Sequence, residues 1–102
     1  PTSFIDVAEQ DDGTVAGLVM VSLREELLSH APSAHLEAIV VAPNARGTGL
    51  GKRLMMHCED KVRQQGASSL TLHVFSRNAR ARALYASEGF DEELVRAIKW
   101  LD

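Results

Sequence analysis

The stretch Glu37–Leu54, Glu-Ala-Ile-Val-Val-Ala-Pro-Asn-Ala-Arg-Gly-Thr-Gly-Leu-Gly-Lys-Arg-Leu, leaves few folds open. A β-branched run leads into Pro43, and Arg46, Gly47, Gly49 and Gly51 then open a helix. Glycines let backbone approach a ligand closely. The first helical turn adds unpaired N–H groups and the positive end of the helix dipole. Such a turn suits an anion, most naturally a diphosphate. Two common phosphate motifs do not fit. A P-loop needs glycine where Arg46 stands and Ser or Thr where Arg53 stands. A dinucleotide fingerprint needs a small residue at Leu54 if read from Gly49, or at Lys52 if read from Gly47. What remains is Arg-x-x-Gly-x-Gly after a strand.

The rest of the chain fits one small α/β domain. Its 102 residues are 45% apolar, enough for a single core. A net charge of −3 argues against general nucleic-acid binding, where a basic patch is expected. No apolar stretch approaches the ~20 residues of a spanning helix, so no membrane partner is expected. Residues 1–7 carry no basic, long apolar leader, and the lone Cys58 cannot form an internal disulfide. A cytoplasmic location is therefore expected. The four histidines lack the spacing of a zinc site, so no metal is expected. The absence of an initial Met fits removal before Pro1 or a fragment.

Periodicity places the elements. Ser3–Glu9 reads as a strand, Gln10–Gly13 as a hairpin turn and Thr14–Leu23 as a strand apolar on both faces, hence covered on both sides. Arg24–Ala34 reads as a loop and His35–Ala42 as a third strand. Thr48–Gln65 is the strongest helix: Leu50, Leu54, Cys58 and Val62 recur at four-residue steps, and Glu59 and Arg63 stand as an i,i+4 pair. Gly66 stops it. Ser69–Phe75 is a fourth strand, Asn78–Ser87 a second helix, and Phe90–Leu101 one more strand or two short ones. This order implies a mixed sheet with helices packed on it.

The second informative segment is Asn78-Ala-Arg-Ala-Arg-Ala-Leu-Tyr85-Ala-Ser-Glu-Gly89-Phe90. Asn78, Ala81 and Tyr85 share a helical face, and Asn78 is a good N-cap. Asn-x-x-Ala-x-x-Leu-Tyr-x-x-x-Gly-Phe following Arg-x-x-Gly-x-Gly resembles the GCN5-related N-acetyltransferase (GNAT) family. The resemblance runs from Ser3 to about Phe90. It implies the acyl-CoA N-acyltransferase fold: an α/β (α+β) arrangement with a mixed central sheet, splayed parallel central strands and flanking helices. The splayed strands would be His35–Ala42 and Ser69–Phe75. It also implies acetyl-CoA as co-substrate, with the pantetheine arm along Ile39, Val40 and Val41. The diphosphate would lie on the amides of Arg46, Gly47, Thr48, Gly49, Leu50, Gly51 and Lys52, and Asn78 would touch the pantetheine. Tyr85 would be the general acid that protonates the departing thiolate. An N–H near Val41 would stabilise the oxyanion.

An attacking amine must first lose a proton, so a base is needed. Glu37, on the strand before the glycines, and His73, on the fourth strand, are the candidates; His35 is a third. The family often has a glutamate at the first position. Some members that acetylate protein N-termini have a glutamate at the second, where this chain has an imidazole that suits neutral pH. Direct transfer to a primary amine in a ternary complex is expected. The Leu70–Phe90 stretch is similar to N-terminal acetyltransferases of ribosomal proteins, which favours a protein N-terminus or lysine. A small-molecule amine is the alternative acceptor, and a non-catalytic acetyl-CoA-binding module the alternative role. Compared with the family, the domain over residues 1–102 is N-terminally short: it lacks the usual first strand and first two helices. An apolar sheet face without those helices predicts self-association, a dimer first.

Overall fold

The computed structural model describes residues 3–26 and 28–101. Its elements are β1 (Ser3–Glu9), β2 (Val15–Glu25), β3 (Pro32–Val41), α1 (Leu50–Gln64), β4 (Leu70–Leu72) and α2 (Ala79–Ser87), with a single 3₁₀ turn at Pro43–Ala45. The strands form one mixed sheet in the order β1-β2-β3-β4. β1, β2 and β3 pair antiparallel, and β4 joins β3 in parallel. At the first hairpin Gly13 takes φ +87°, and the Asp12 carboxylate accepts from both the N–H and the hydroxyl of Thr14.

The core lies on one face of the sheet. The four-residue stripe of α1 sets Leu54, Met55, Cys58 and Val62 on Val19, Val21, Ala34 and Leu36. Cys58 is fully buried there, and burial pushes its thiol up to about 11, so it is a packing residue. Asp6 fastens α1 to β1 by accepting from His57 Nε2 at 2.7 Å and Lys61 Nζ at 2.8 Å. Gly17 is required where α1 crosses β2. A Cβ there would stand 2.8 Å from the Val40 carbonyl oxygen and 2.9 Å from Leu54 Cδ1.

Four expectations are corrected. The loop expected over Arg24–Ala34 contracts to residues 26–31, of which Leu27 lies outside the described residues. β2 and β3 extend into that region because they pair as far as Glu25↔Pro32. No strand forms over Phe90–Leu101: a strand exists by its ladder, and the backbone of residues 91–101 makes no hydrogen bond to other described backbone groups. The expected Ser69–Phe75 strand is confined to Leu70–Leu72, since only those residues pair with β3. On α1, Arg63 pairs with Asp60 at 3.2 Å rather than with Glu59.

β2 is covered by α1 on one face only. On the other, the register aligns Ile5, Met20 and Ala38 in one row and Val7, Leu18 and Val40 in the next. Ile5, Val7, Met20 and Val40 are exposed. The apolar alternation expected for β2 is therefore present, with one half of it facing outward.

Candidate active site

The sheet forks where the two sequence motifs meet. The parallel ladder has three rungs, Ala34↔Leu70, His35↔Thr71 and Leu36↔Leu72, and stops there. β3 runs on to Val41 without β4 beside it. Its β2 ladder also slips at this point: Met20 faces Ala38 and Val21 faces Leu36, so Glu37 is the bulged residue. The strands thus part at Glu37 and His73, the first residues past the last rung.

The glycine turn sits at the far end of this fork. Gly47 and Gly49 take φ of +79° and +83°, conformations that side-chain-bearing residues adopt at a cost. Gly49 is the N-cap of α1 and supplies no side chain to its first turn, which carries no acidic residue. The Thr48 hydroxyl instead donates back to the Ala45 carbonyl and braces the turn. The backbone N–H groups of residues 47–52 have no well-aligned partner among the described residues. A Cβ placed on Gly47 or Gly49 would meet nothing within 4 Å, so the turn faces open space. Arg46, Lys52 and Arg53 are exposed around it. Unpaired donors, a helix dipole and three cations here make a cradle that would suit an anion.

From the cradle a cavity of about 550 Å³ runs between β3, α1 and α2, lined by Ile39, Val41, Gly51, Met55, Leu84 and Tyr85 among others. Tyr85 is half-buried and stands edge-on to Phe90, with ring centroids 5.8 Å apart. Its hydroxyl makes no hydrogen bond to a described residue, so the phenol proton is free for a ligand in the cavity. Leu84 and Glu88 flank it. Burial, with Glu59 nearby, holds the Glu88 carboxyl above its ordinary range. Asn78 caps α2: its Oδ1 accepts from the Ala81 N–H at 3.1 Å.

The structure joins some expected residues and separates others. Ile39, Val41, Gly51, Lys52 and Tyr85 line one cavity. Arg46, Gly47, Thr48, Gly49 and Leu50 adjoin it as the turn. Val40 points to the opposite sheet face, so only its backbone could serve a ligand at the fork. Glu37 and His73 stand on that opposite face too, across the sheet from Tyr85. Glu37 Oε2 accepts from the Ser22 hydroxyl at 2.6 Å and from Arg24 at 2.8 Å. The Ser22 hydrogen bond, with the charges of His35 and Arg24, keeps its carboxyl below the ordinary range. Sequence reading missed these partners. Ser22 and Arg24 gave no sign, because only the β2–β3 register brings them beside Glu37. Among the described residues no group of three or more His, Cys, Asp or Glu could hold a metal ion, and no helix is long and apolar enough to cross a membrane.

Known proteins share both the sequence and the architecture. The model of the acetyltransferase (GNAT) family matches residues 1–90. The mycothiol acetyltransferase of Beutenbergia cavernae is 37% identical over 87 residues, 85% of this chain and 28% of that protein. The [ribosomal protein bS18]-alanine N-acetyltransferase of Escherichia coli K12 is 41% identical over 63 residues, 62% of this chain and 43% of that protein. A putative acetyl transferase from Pyrococcus furiosus superposes with a TM-score of 0.94 at 23% identity, over 97% of this chain and 66% of its own. The chain thus spans less than half the length of these two curated relatives.

Proposed function

This chain belongs to the acetyltransferase (GNAT) family, and we propose that it binds acetyl-CoA in the forked sheet and takes part in acetyl transfer to a primary amine. The observation that carries this reading is the run of unpartnered N–H groups at residues 47–52, which opens onto the Tyr85 cavity where β3 loses its partner strand. The cradle fits a diphosphate: it has donors, positive charge and open space at Gly47 and Gly49. Arg46, Gly47, Thr48, Gly49, Leu50, Gly51 and Lys52 would hold it. The backbone of Ile39, Val40 and Val41, left unpaired on the β4 side, would hydrogen-bond the pantetheine amides. The Asn78 side-chain NH₂ would add a donor, since capping uses only its carbonyl oxygen.

Acetyl-CoA supplies an activated acyl group as a thioester. The protein's share is to orient that group, to accept a proton from the amine and to return one to sulfur. The Tyr85 hydroxyl is the proton donor on the α1 side of the sheet. Glu37 and His73 flank the fork on the other side, where an amine would approach. Acid and base so placed act on opposite ends of a group threaded through the fork. A backbone N–H near Val41 would stabilise the oxyanion.

For the acceptor we favour a protein N-terminus or lysine, supported by the likeness to the bS18-alanine N-acetyltransferase. A small-molecule amine is the second reading, for which the mycothiol acetyltransferase match speaks. We place the protein in the cytoplasm, treat residues 1–102 as one acetyltransferase domain and expect it to pair with a second copy through the exposed β1–β3 face. The test is a thiol-release assay with acetyl-CoA and a panel of alanine-initiated peptides, lysine peptides and polyamines. Release that depends on the amine supports transfer. Acetyl-CoA binding without release from any amine supports a non-catalytic module instead.

A further inference from the structure

His35, the third candidate base, lies under the fork. The residue is almost wholly buried, 5% exposed. Its Nδ1 is 2.7 Å from the Thr71 hydroxyl, its Cα partner on the rung before the last. Its ring lies 4.6 Å from that of His73, tilted by 57°, and its Nε2 is 3.9 Å from Glu37 Oε1. His35 therefore sits between the two residues at which the strands part. The charged and titratable groups around it are Arg24 on β2, Glu37 on β3 and His73 just beyond β4. α1 covers the other side of the sheet.

The three groups are unequal as proton acceptors. Glu37 is occupied by Ser22 and Arg24, which hold it as a carboxylate of low basicity. His73 is exposed and makes no hydrogen bond to a described residue. His35 is out of reach of an acceptor, and burial keeps it neutral. The Thr71 hydroxyl can donate to Nδ1, which leaves Nε2–H facing the Glu37 carboxylate; this tautomer is assigned from the partners.

We propose that His35 is the positioning residue of the His73 base: a buried imidazole hydrogen-bonded to Thr71, against which the His73 ring is held at the fork. The proposal rests on the acetyl-transfer reading. In the step, an N–H bond of the acceptor ammonium breaks and an N–H bond forms on the His73 imidazole, directly or through one water. The freed lone pair attacks the acyl carbon; the C–S bond breaks as the tetrahedral intermediate collapses, the thiolate takes the Tyr85 proton, and the second proton lost from the amine nitrogen restores the phenol by way of solvent. The imidazolium then returns its proton to solvent, to which His73 is open. A neutral His35 can sit beside that imidazolium without the repulsion a second charge would bring.

Two measurements test it. The first follows the histidine ring protons by NMR against pH in the free protein. His73→Asn should raise the His35 midpoint by removing a like charge, and His35→Gln should shift the His73 resonances toward those of an unrestrained histidine. Independence of the two rings in both variants overturns the positioning role. The second is kcat/KM against pH for acetyl-CoA with an alanine-initiated peptide. His73→Asn should abolish the acidic limb and lower the plateau on the order of 100-fold. His35→Ala should lower kcat about tenfold at unchanged KM for acetyl-CoA, with partial recovery in His35→Gln, which retains a partner for Thr71. A limb that survives in His73→Asn and disappears in Glu37→Gln makes Glu37 the base and refutes the assignment. No amine-dependent release from the wild type refutes the acetyl-transfer reading, and the base role with it; the NMR titrations then still decide whether the rings are coupled.

Discussion

Gly17→Ala should be the most disruptive single-methyl change in this sheet, and its effect should reach the cradle. The added Cβ would stand 2.8 Å from the Val40 carbonyl oxygen, 2.9 Å from Leu54 Cδ1 and 3.4 Å from Leu50 Cδ2. The two leucines can adjust. The carbonyl cannot move alone, because Leu18↔Val40 and Gly17↔Val41 are ladder pairs. Either β3 must shift or α1 must lift from β2. Overpacking of this kind costs about 1–3 kcal/mol, and a backbone clash puts it in the upper half of that range. For a domain of this size that is roughly a 10–20 °C loss in Tm. Gly51→Ala is the comparator. Its Cβ would meet only Val41 Cγ2 at 3.7 Å in a helical conformation, so it should leave Tm unchanged or slightly raised. Thermal unfolding followed by circular dichroism reads both variants. Since Leu50 and Leu54 belong to the first turns of α1, Gly17→Ala should also weaken acetyl-CoA binding below its Tm. If Gly17→Ala melts with the wild type, the close approach of α1 to β2 is wrong.

Three further outcomes are expected. Tyr85→Phe should lower kcat on the order of 100-fold with little change in acetyl-CoA affinity, because the lost hydroxyl matters when the thiolate leaves; unchanged kcat would leave Tyr85 as a packing residue. Stability should fall in two stages on acidification. Burial, then the Arg24 charge, hold His35 below its unfolded value of 6.5, so its contribution is complete above that pH and is lost as pH falls through the folded value. Asp6, lowered by His57 and Lys61, and Glu37 add a second loss below about pH 4. Urea midpoints across pH should show both stages, and His35→Gln should remove the first; a first stage that persists in that variant belongs to another group. Finally, the rows Ile5–Met20–Ala38 and Val7–Leu18–Val40 should drive association, at roughly 25 cal/mol per Å² of apolar area buried. Sedimentation at micromolar concentration should show a dimer that Met20→Lys dissociates, and a monomeric wild type contradicts this.

The glycine turn and the start of α1 were legible in the sequence because their determinants are local. Glycine spacing, a preceding β-branched run and the apolar stripe of α1 all act within a few residues. The capping role of Asn78 was legible for the same reason. Tyr85 was marked by its motif, and its position in the cavity depends on α2 lying across from β3. The polar cluster on the opposite face was only half visible. Glu37 and His73 stood out as titratable residues on strands, whereas Ser22, Arg24 and Thr71 matter only through cross-strand register. The bulge at Glu37 sets that register, and no residue type announces it. The strand expected over Phe90–Leu101 does not form. Whether such a segment pairs depends on a neighbour, and among the described residues Leu94–Leu101 has none.

The central claim is that the residue 47–52 amides hold the diphosphate of acetyl-CoA. Calorimetric titration of acetyl-CoA into the wild type and Gly51→Val tests it most directly. Gly51 is helical, its neighbour Val41 is at ordinary distance from the added Cβ, and its side chain would enter the cavity between cradle and fork. Each charge-assisted hydrogen bond lost should cost about 1.5–3 kcal/mol. The account therefore predicts saturable binding by the wild type and a Kd roughly 10- to 100-fold weaker in the variant, with Tm preserved. Equal affinities in the two proteins would contradict it.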